Sequence, residues 1–183
     1  MLINRIKKRL AQFRSNEEGS IAVEALLTVP ILFWTLMMGY TYFDGYREAA
    51  SNVKAAYTIG DLISRETRTI DDNYIDSMVQ LYARMVGTPN NLQMRISLLR
   101  YDKKRDRHRV RWSANRGFPT SLSNANVAEV SPKLPPMSDQ DTLILVETRN
   151  TYHAPFKVGL DDTVMESFIF TRPRFTNEIA GSV

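Results

Sequence analysis

Gly19–Phe43 reads GSIAVEALLTVPILFWTLMMGYTYF, and the rest of the chain is organised around it. One carboxylate, Glu24, interrupts the run near its start, and no other charge occurs from Ala25 to Phe43. At about 1.5 Å per residue, a helix over that uncharged stretch nearly spans the ~30 Å hydrocarbon core of a bilayer. An acidic side chain at the edge of such a run is costly in lipid, so Glu24 needs a partner or a task.

Working outward, the 183 residues carry a formal net charge of +4. Arg5, Lys7, Lys8, Arg9 and Arg14 outweigh Glu17 and Glu18, so the first 19 residues hold most of that excess. The remainder is close to neutral, and the basic balance says little about partners. The chain has no cysteine, which excludes disulfides and thiolate metal sites. The apolar run is longer than the core of a secretory signal, and no A-x-A site follows it. The one small-residue cut point, Gly19-Ser20, precedes the run, so cleavage there leaves the hydrophobic helix on the protein. The basic cluster predicts a cytoplasmic N-terminus and an exported C-terminus. Three regions are expected: a leader over 1–19, a membrane helix over 20–43 and an exported domain over 44–183.

FRSNEEG, residues 13–19, followed by SIAVE, residues 20–24, resembles a type IV prepilin site. In that family a membrane aspartic peptidase cuts after glycine, and the fifth residue of the mature chain is glutamate. The resemblance implies cleavage after Gly19, with Ser20 first and Glu24 fifth. EEGSIAVEALLTVPILF is similar to the opening of TadE-like pseudopilins from tight-adherence pilus systems. Thr171-Arg172-Pro173-Arg174-Phe175 and VETRNTYHAP, from Val146 to Pro155, resemble later parts of the same family. TadF-like proteins share the opening, and TadG-like proteins usually carry a larger exported domain; the reading favours TadE. The resemblance covers both ends and leaves the middle generic. It implies a minor pseudopilin in the inner membrane, or in the pilus itself, processed by a prepilin peptidase. It also implies work with a second, TadF-like pseudopilin and other assembly proteins, in priming the pilus, capping it or organising the membrane machinery.

Each motif residue has a physical reason. Glycine lets an extended substrate backbone approach the peptidase closely. Cleavage creates a positive α-amino group on Ser20. Glu24, one helical turn away, can pair with that amine on its own chain or a neighbour and select the axial register between packed subunits. The competing reading is an uncleaved signal anchor, with Glu24 among headgroups and an exported ligand-binding or sensory module. Pro30 either kinks the helix or is carried as a tolerated membrane proline.

Beyond Phe43 the helix is expected to continue. Tyr42, Tyr46, Ala49, Val53, Ala56, Gly60 and Ile63 recur at spacings of four and three, which predicts a packing face. That face is expected to cover the domain's own sheet, with Glu48, Asn52 and Lys54 elsewhere. Asp71 or Asp72 caps a second helix reaching about Val86, with Tyr74, Ile75, Met78, Val79, Tyr82, Met85 and Val86 inward and Gly87 and Pro89 ending it. A hairpin follows. Leu92, Met94, Ile96 and Leu98 alternate with polar residues, as do Val110, Trp112 and Ala114, around a turn from Asp102 to Asp106. A short helix is expected near Asn124 to Val130, then strands over 142–153 and 163–171. In these strands Ile144, Val146 and Tyr152 share one face, as do Val164, Phe168 and Phe170. The fold class is therefore α+β: a long N-terminal helix, membrane-spanning at its start, packed on a four-stranded antiparallel sheet in a pilin-like architecture.

Candidate chemistry is sparse. His108 and His153 lack ligand-spaced partners, so no metal or other cofactor is expected. The pairs Asp139/Asp141 and Asp161/Asp162 lack the spaced oxygens of a calcium loop and read as solvated loops. No nucleophile, phosphate-loop or dinucleotide motif occurs, so an enzyme is not expected. The hairpin is strongly basic. Arg105, Arg107, Arg109 and Arg111 form the core of a patch that extends to Arg95, Arg100, Lys103, Lys104 and Arg116, with Asp102 and Asp106 as the local acids. Such a patch suits an acidic partner subunit, an anionic cell-surface polymer or plain solvation. Nucleic acid is not expected as a partner of an exported domain.

Overall fold

The computed structural model describes Arg5, Lys7, Arg9 and residues 11–13, 18–87 and 91–183, with the backbone alone for 18–20. Lys8, Arg14, Ser15, Asn16 and Glu17 of the basic leader and its motif, and Pro89 after the second helix, lie outside the described residues. Helix α1 runs from Glu18 to Ser64 and passes through Pro30 without ending. Strand β1 (Ile70–Asp71), helix α2 (Asp72–Val86), and strands β2 (Gln93–Asp102) and β3 (Arg107–Arg116) follow. A short helix α3 (Val127–Val130) continues as a 3-10 turn over Ser131–Lys133. Strands β4 (Thr142–Tyr152), β5 (Thr163–Thr171) and β6 (Gly181–Ser182) complete the chain. The main sheet is antiparallel in the order β3-β2-β4-β5, while β1 and β6 form a separate parallel pair.

The chain divides into two compact units. The first joins the helix up to Phe43 with the segment Pro155–Leu160. Its helix is apolar on all sides and solvent-exposed along its most hydrophobic stretch, with the length and composition of a membrane span. Thr35 and Thr41 donate their hydroxyls to the carbonyls of Ile31 and Met37, at 2.8 Å each, which satisfies polar groups that lipid could not.

The second unit contains Asp44–Ala154 and Asp161–Val183. Its sheet is covered on both faces. On one face Ala55, Ala56, Ile59 and Ile63 of α1 and Ile75, Tyr82 and Val86 of α2 pack with Met94, Ile96, Leu98, Trp112, Ile144 and Val146. On the other, Leu122 and Val127 close over Leu99, Leu143 and Leu145, with Val110 and Phe168 at the margin. Helix α2 starts as its sequence requires: Asp71 accepts the Tyr74 amide at 2.9 Å. It stops at Gly87, whose φ of +78° is the left-handed conformation that glycine adopts without steric cost.

The face that α1 turns to the sheet differs from the apolar seam read in the sequence. Ala56, Gly60 and Ile63 are buried as expected, but Tyr42, Tyr46 and Val53 are exposed, and Glu48 and Asn52 are buried instead. The reason is a polar ladder. Asp44, Glu48 and Asn52 lie four residues apart on α1, facing Tyr152, Asn150 and Thr148, two apart on β4. Tyr152 Oη donates to Asp44 at 3.2 Å, Asn150 Nδ2 to Glu48 at 3.2 Å, and Thr148 Oγ1 to Asn52 Oδ1 at 3.4 Å. Four helical residues rise about 6.0 Å, and two strand residues about 6.7 Å, so the two series stay in step over these rungs. Asn52 also receives the Tyr82 hydroxyl and donates to Ser167 Oγ at 3.1 Å, linking α1, α2, β4 and β5 through one amide. Burial, before anything else, pushes the Tyr82 phenol up to about 12; Glu48 adds to the rise and the Thr148 hydroxyl opposes it.

A register shift between Leu98 and Leu99 alters the expected hairpin pattern. Leu98 pairs with Trp112 but Leu99 with Val110, leaving Arg111 as the extra residue. Trp112 and Ala114 therefore enter the helix-side core while Val110 joins the opposite cluster. In β5, Phe168 and Phe170 pair with Glu147 and Leu145, so they point away from the helices, and Ile169 is the residue that packs into the helix-side core.

Candidate functional site

The candidate processing motif lies at the beginning of α1. Gly19 and Ser20 are in its first turn, and Glu24 is exposed one turn further on. A helical Gly19-Ser20 bond must become extended to enter a protease cleft. Glu24 has no ion-pair partner among the described residues.

The two distal segments that carry the family resemblance both hold α1. VETRNTYHAP contains Thr148, Asn150 and Tyr152, the strand side of the polar ladder. In the TRPRF segment, the Arg174 amide donates to the Ser64 carbonyl at 2.8 Å and its guanidinium meets Asp61 at 2.7 Å. The last turn of α1 has no basic residue of its own, so Arg174 places a positive charge beside the negative end of the helix dipole. Arg172 pairs with Asp141 at 3.2 Å.

The basic hairpin is less uniform than its sequence. Arg95 is buried, bonded to Glu147 at 2.6 and 2.8 Å and to the Thr120 carbonyl at 2.8 Å, and stacked over Phe118. It is an interior tie, not part of a surface patch. Arg116 meets Asp72 and Asp76 of α2 at 2.6 and 2.7 Å, and those two bonds hold its pKa above the usual range. Arg111 and Arg100 share Glu178 at 2.5 and 3.5 Å, and Arg109 meets Asp102 at 3.5 Å. Arg105 and Arg107 are exposed and have no ion pair among the described residues. The acids Asp72, Asp76, Glu147 and Glu178 come from outside the hairpin sequence, which is why local composition exaggerated the patch.

Beside the hairpin lies a cleft of about 650 Å³ lined by Tyr101, Arg107, His108, Arg109, Asn124 and Ser131. His108 Nδ1 and Ser131 Oγ are 3.0 Å apart, and burial lowers the His108 pKa. Ser131 Oγ donates to the Val127 carbonyl at 3.0 Å, so its proton is already committed, and His108 Nε2 is buried without a partner. The pair ties the 3-10 turn to β3. Tyr101 donates to Asp106 at 2.5 Å, and that bond chiefly raises its pKa.

The acidic pairs also serve the fold. Asp139 accepts the Lys103 amide at 2.9 Å, which lowers its pKa, and Asp162 accepts the Ala154 amide at 3.2 Å and meets His153 Nδ1 at 2.7 Å. No group of three or more potential metal-ligating side chains occurs among the described residues. An exposed apolar groove runs along α1 between Tyr46, Ala49, Ala50, Val53 and Tyr57. The sequence signal for it was the same four-three spacing that was read as a sheet-facing seam. Compared with family models, with curated proteins and with solved structures, the chain finds no match.

Proposed function

We propose that this chain is a TadE-like minor pseudopilin of a tight-adherence pilus system, anchored by α1 and processed by a prepilin peptidase between Gly19 and Ser20. The observation that carries the reading is one continuous helix joining three parts: a glycine–glutamate motif in its first turns, an uncharged exposed stretch, and a half that packs on an antiparallel sheet. The chain acts by packing in the plane of the inner membrane and by docking its exported domain on a second pseudopilin and other assembly proteins. The groove at Tyr46, Val53 and Tyr57 is a surface for that docking, and Arg105 and Arg107 remain for an acidic partner.

The test is the N-terminal residue and intact mass of the membrane-extracted protein, from cells with and without the peptidase. Peptidase-dependent loss of residues 1–19, leaving Ser20 first, is expected. A functional protein that retains Met1 would instead make it a signal-anchored envelope protein. Glu24→Gln separates processing from assembly: cleavage is expected to persist while incorporation into the complex falls. Unchanged incorporation would remove Glu24 from the register role. Neutralising Arg105, Arg107, Arg109 and Arg111 together tests the patch; unchanged assembly and surface binding would leave it a solvated face.

A further inference from the structure

We propose that the β4–β5 loop, Pro155–Leu160, is a second membrane contact: a foot that rests at the lipid headgroup level beside the end of the spanning helix. This rests on the membrane-anchored reading of α1. The loop and the helix up to Phe43 form one compact unit. The Phe156 ring meets Tyr40 edge-on, with centroids 6.1 Å apart, and Tyr42 donates its hydroxyl to the Gly159 carbonyl at 3.3 Å. Gly159 has φ +97°, which allows the chain to turn back at that contact, and the Val158 amide bonds the Phe156 carbonyl at 3.0 Å.

Two constraints bracket the depth of the loop. The first sets a minimum. Counting from Glu24, about 20 residues of helix cross the hydrocarbon core, which places the far boundary near Asp44. Tyr40 lies one turn inside that residue, about 6 Å along the axis, and Phe156 touches it. The second sets a maximum. An irregular loop has peptide groups that hydrocarbon cannot satisfy, so it stays out of the hydrocarbon core. Between these limits is the interface, where aromatic rings with one polar end are favoured. Phe156 is 40% exposed and Tyr40 57% exposed, so both rings have surface left for acyl chains and headgroups. Lys157, exposed beside Phe156, can lay its stem along the same surface with its ammonium among phosphates. The ligand is the lipid interface itself.

The absence of cysteine makes the test direct. Single cysteines are introduced into the full chain by Phe156→Cys and, separately, Lys157→Cys, which keeps the Phe156 ring. Leu32→Cys serves as the mid-helix reference and Lys103→Cys as the hairpin-turn reference. Each variant is spin-labelled and reconstituted in vesicles of phosphatidylcholine and phosphatidylglycerol. Collision rates with oxygen and with a water-soluble nickel chelate then report depth. The expected oxygen-to-nickel ratio at 156 and 157 is several-fold above that at 103 and below that at 32. A ratio equal to that at 103 overturns the foot, because the loop is then in water. Shielding from both reagents also overturns it, because protein then covers the loop. If the label at 32 is itself open to nickel, the spanning helix fails first and the foot fails with it.

Discussion

Replacing Asn52 by alanine removes an amide on α1 that hydrogen-bonds to α2, β4 and β5 at once. Asn52 is 1% exposed and Tyr82 is fully buried, so the amide's partners are out of reach of bulk solvent in the fold. The Tyr82 and Thr148 hydroxyls lose an acceptor and Ser167 loses its donor. An orphaned buried polar group costs about 1–3 kcal/mol, and these losses with the vacated volume bring Asn52→Ala to about 2–4 kcal/mol. Tyr82→Phe alone removes one bond, at about 1–1.5 kcal/mol. In the alanine background Tyr82→Phe is expected to cost less than in the native chain, because the hydroxyl it deletes has already lost its Asn52 acceptor and keeps only Thr148. The double-mutant cycle should therefore give a coupling of about 1–2 kcal/mol. Urea unfolding of the full chain in detergent, followed by Trp112 fluorescence in a Trp34→Phe background, measures it. Costs that add to within about 0.5 kcal/mol would refute the network, since independent sites add to that precision.

Three further outcomes follow from the same structure. With the Tyr82 pKa near 12 in the fold and about 10 in the unfolded chain, its contribution is complete below pH 10 and lost as pH rises to 12. The expected loss is about 2–3 kcal/mol, and Tyr82→Phe should remove that part of the alkaline unfolding curve. Gly181→Ala places a Cβ 2.7 Å from the Trp112 ring and should destabilise by about 1–3 kcal/mol, read as a Trp112 emission shift and faster proteolysis of the C-terminal tail. Gly60→Ala should be neutral or stabilising by up to about 1 kcal/mol in thermal unfolding. Its Cβ would meet Thr171 and Val146 at 3.6 and 3.8 Å, ordinary contact distances, and alanine favours the helix.

The alternation of apolar residues over 92–98 and the turn after it place β2 and the start of β3 correctly, because a strand with one buried face records its period locally. The long helix and the Asp71 cap are legible for the same reason: they depend on neighbours within a few positions. The candidate processing residues are likewise a matter of short spacing. The rotation of α1 is not. Glu48 and Asn52 face inward because Asn150 and Thr148, about a hundred residues later, offer them partners. Polar residues on an amphipathic helix look outward until such partners are known.

By itself, then, the sequence determined the periodic elements, their order, the apolar helix with its membrane-spanning length and the spacing of Gly19, Ser20 and Glu24. Tertiary structure decided which face of α1 meets the sheet, where the Arg111 bulge reverses β3, and which arginines remain unpaired. It also decided that the C-terminal tail closes against Trp112 and pairs β6 with β1. Each of these depends on contacts between residues distant in the chain. A local pattern gives the hydrophobicity of a face but not the hydrogen-bonding groups or charges that will be opposite it. The Gly19–Phe43 stretch is legible alone because a membrane-spanning helix needs only length and apolarity; the half of the same helix that follows Phe43 is not, because a folded sheet asks for particular partners.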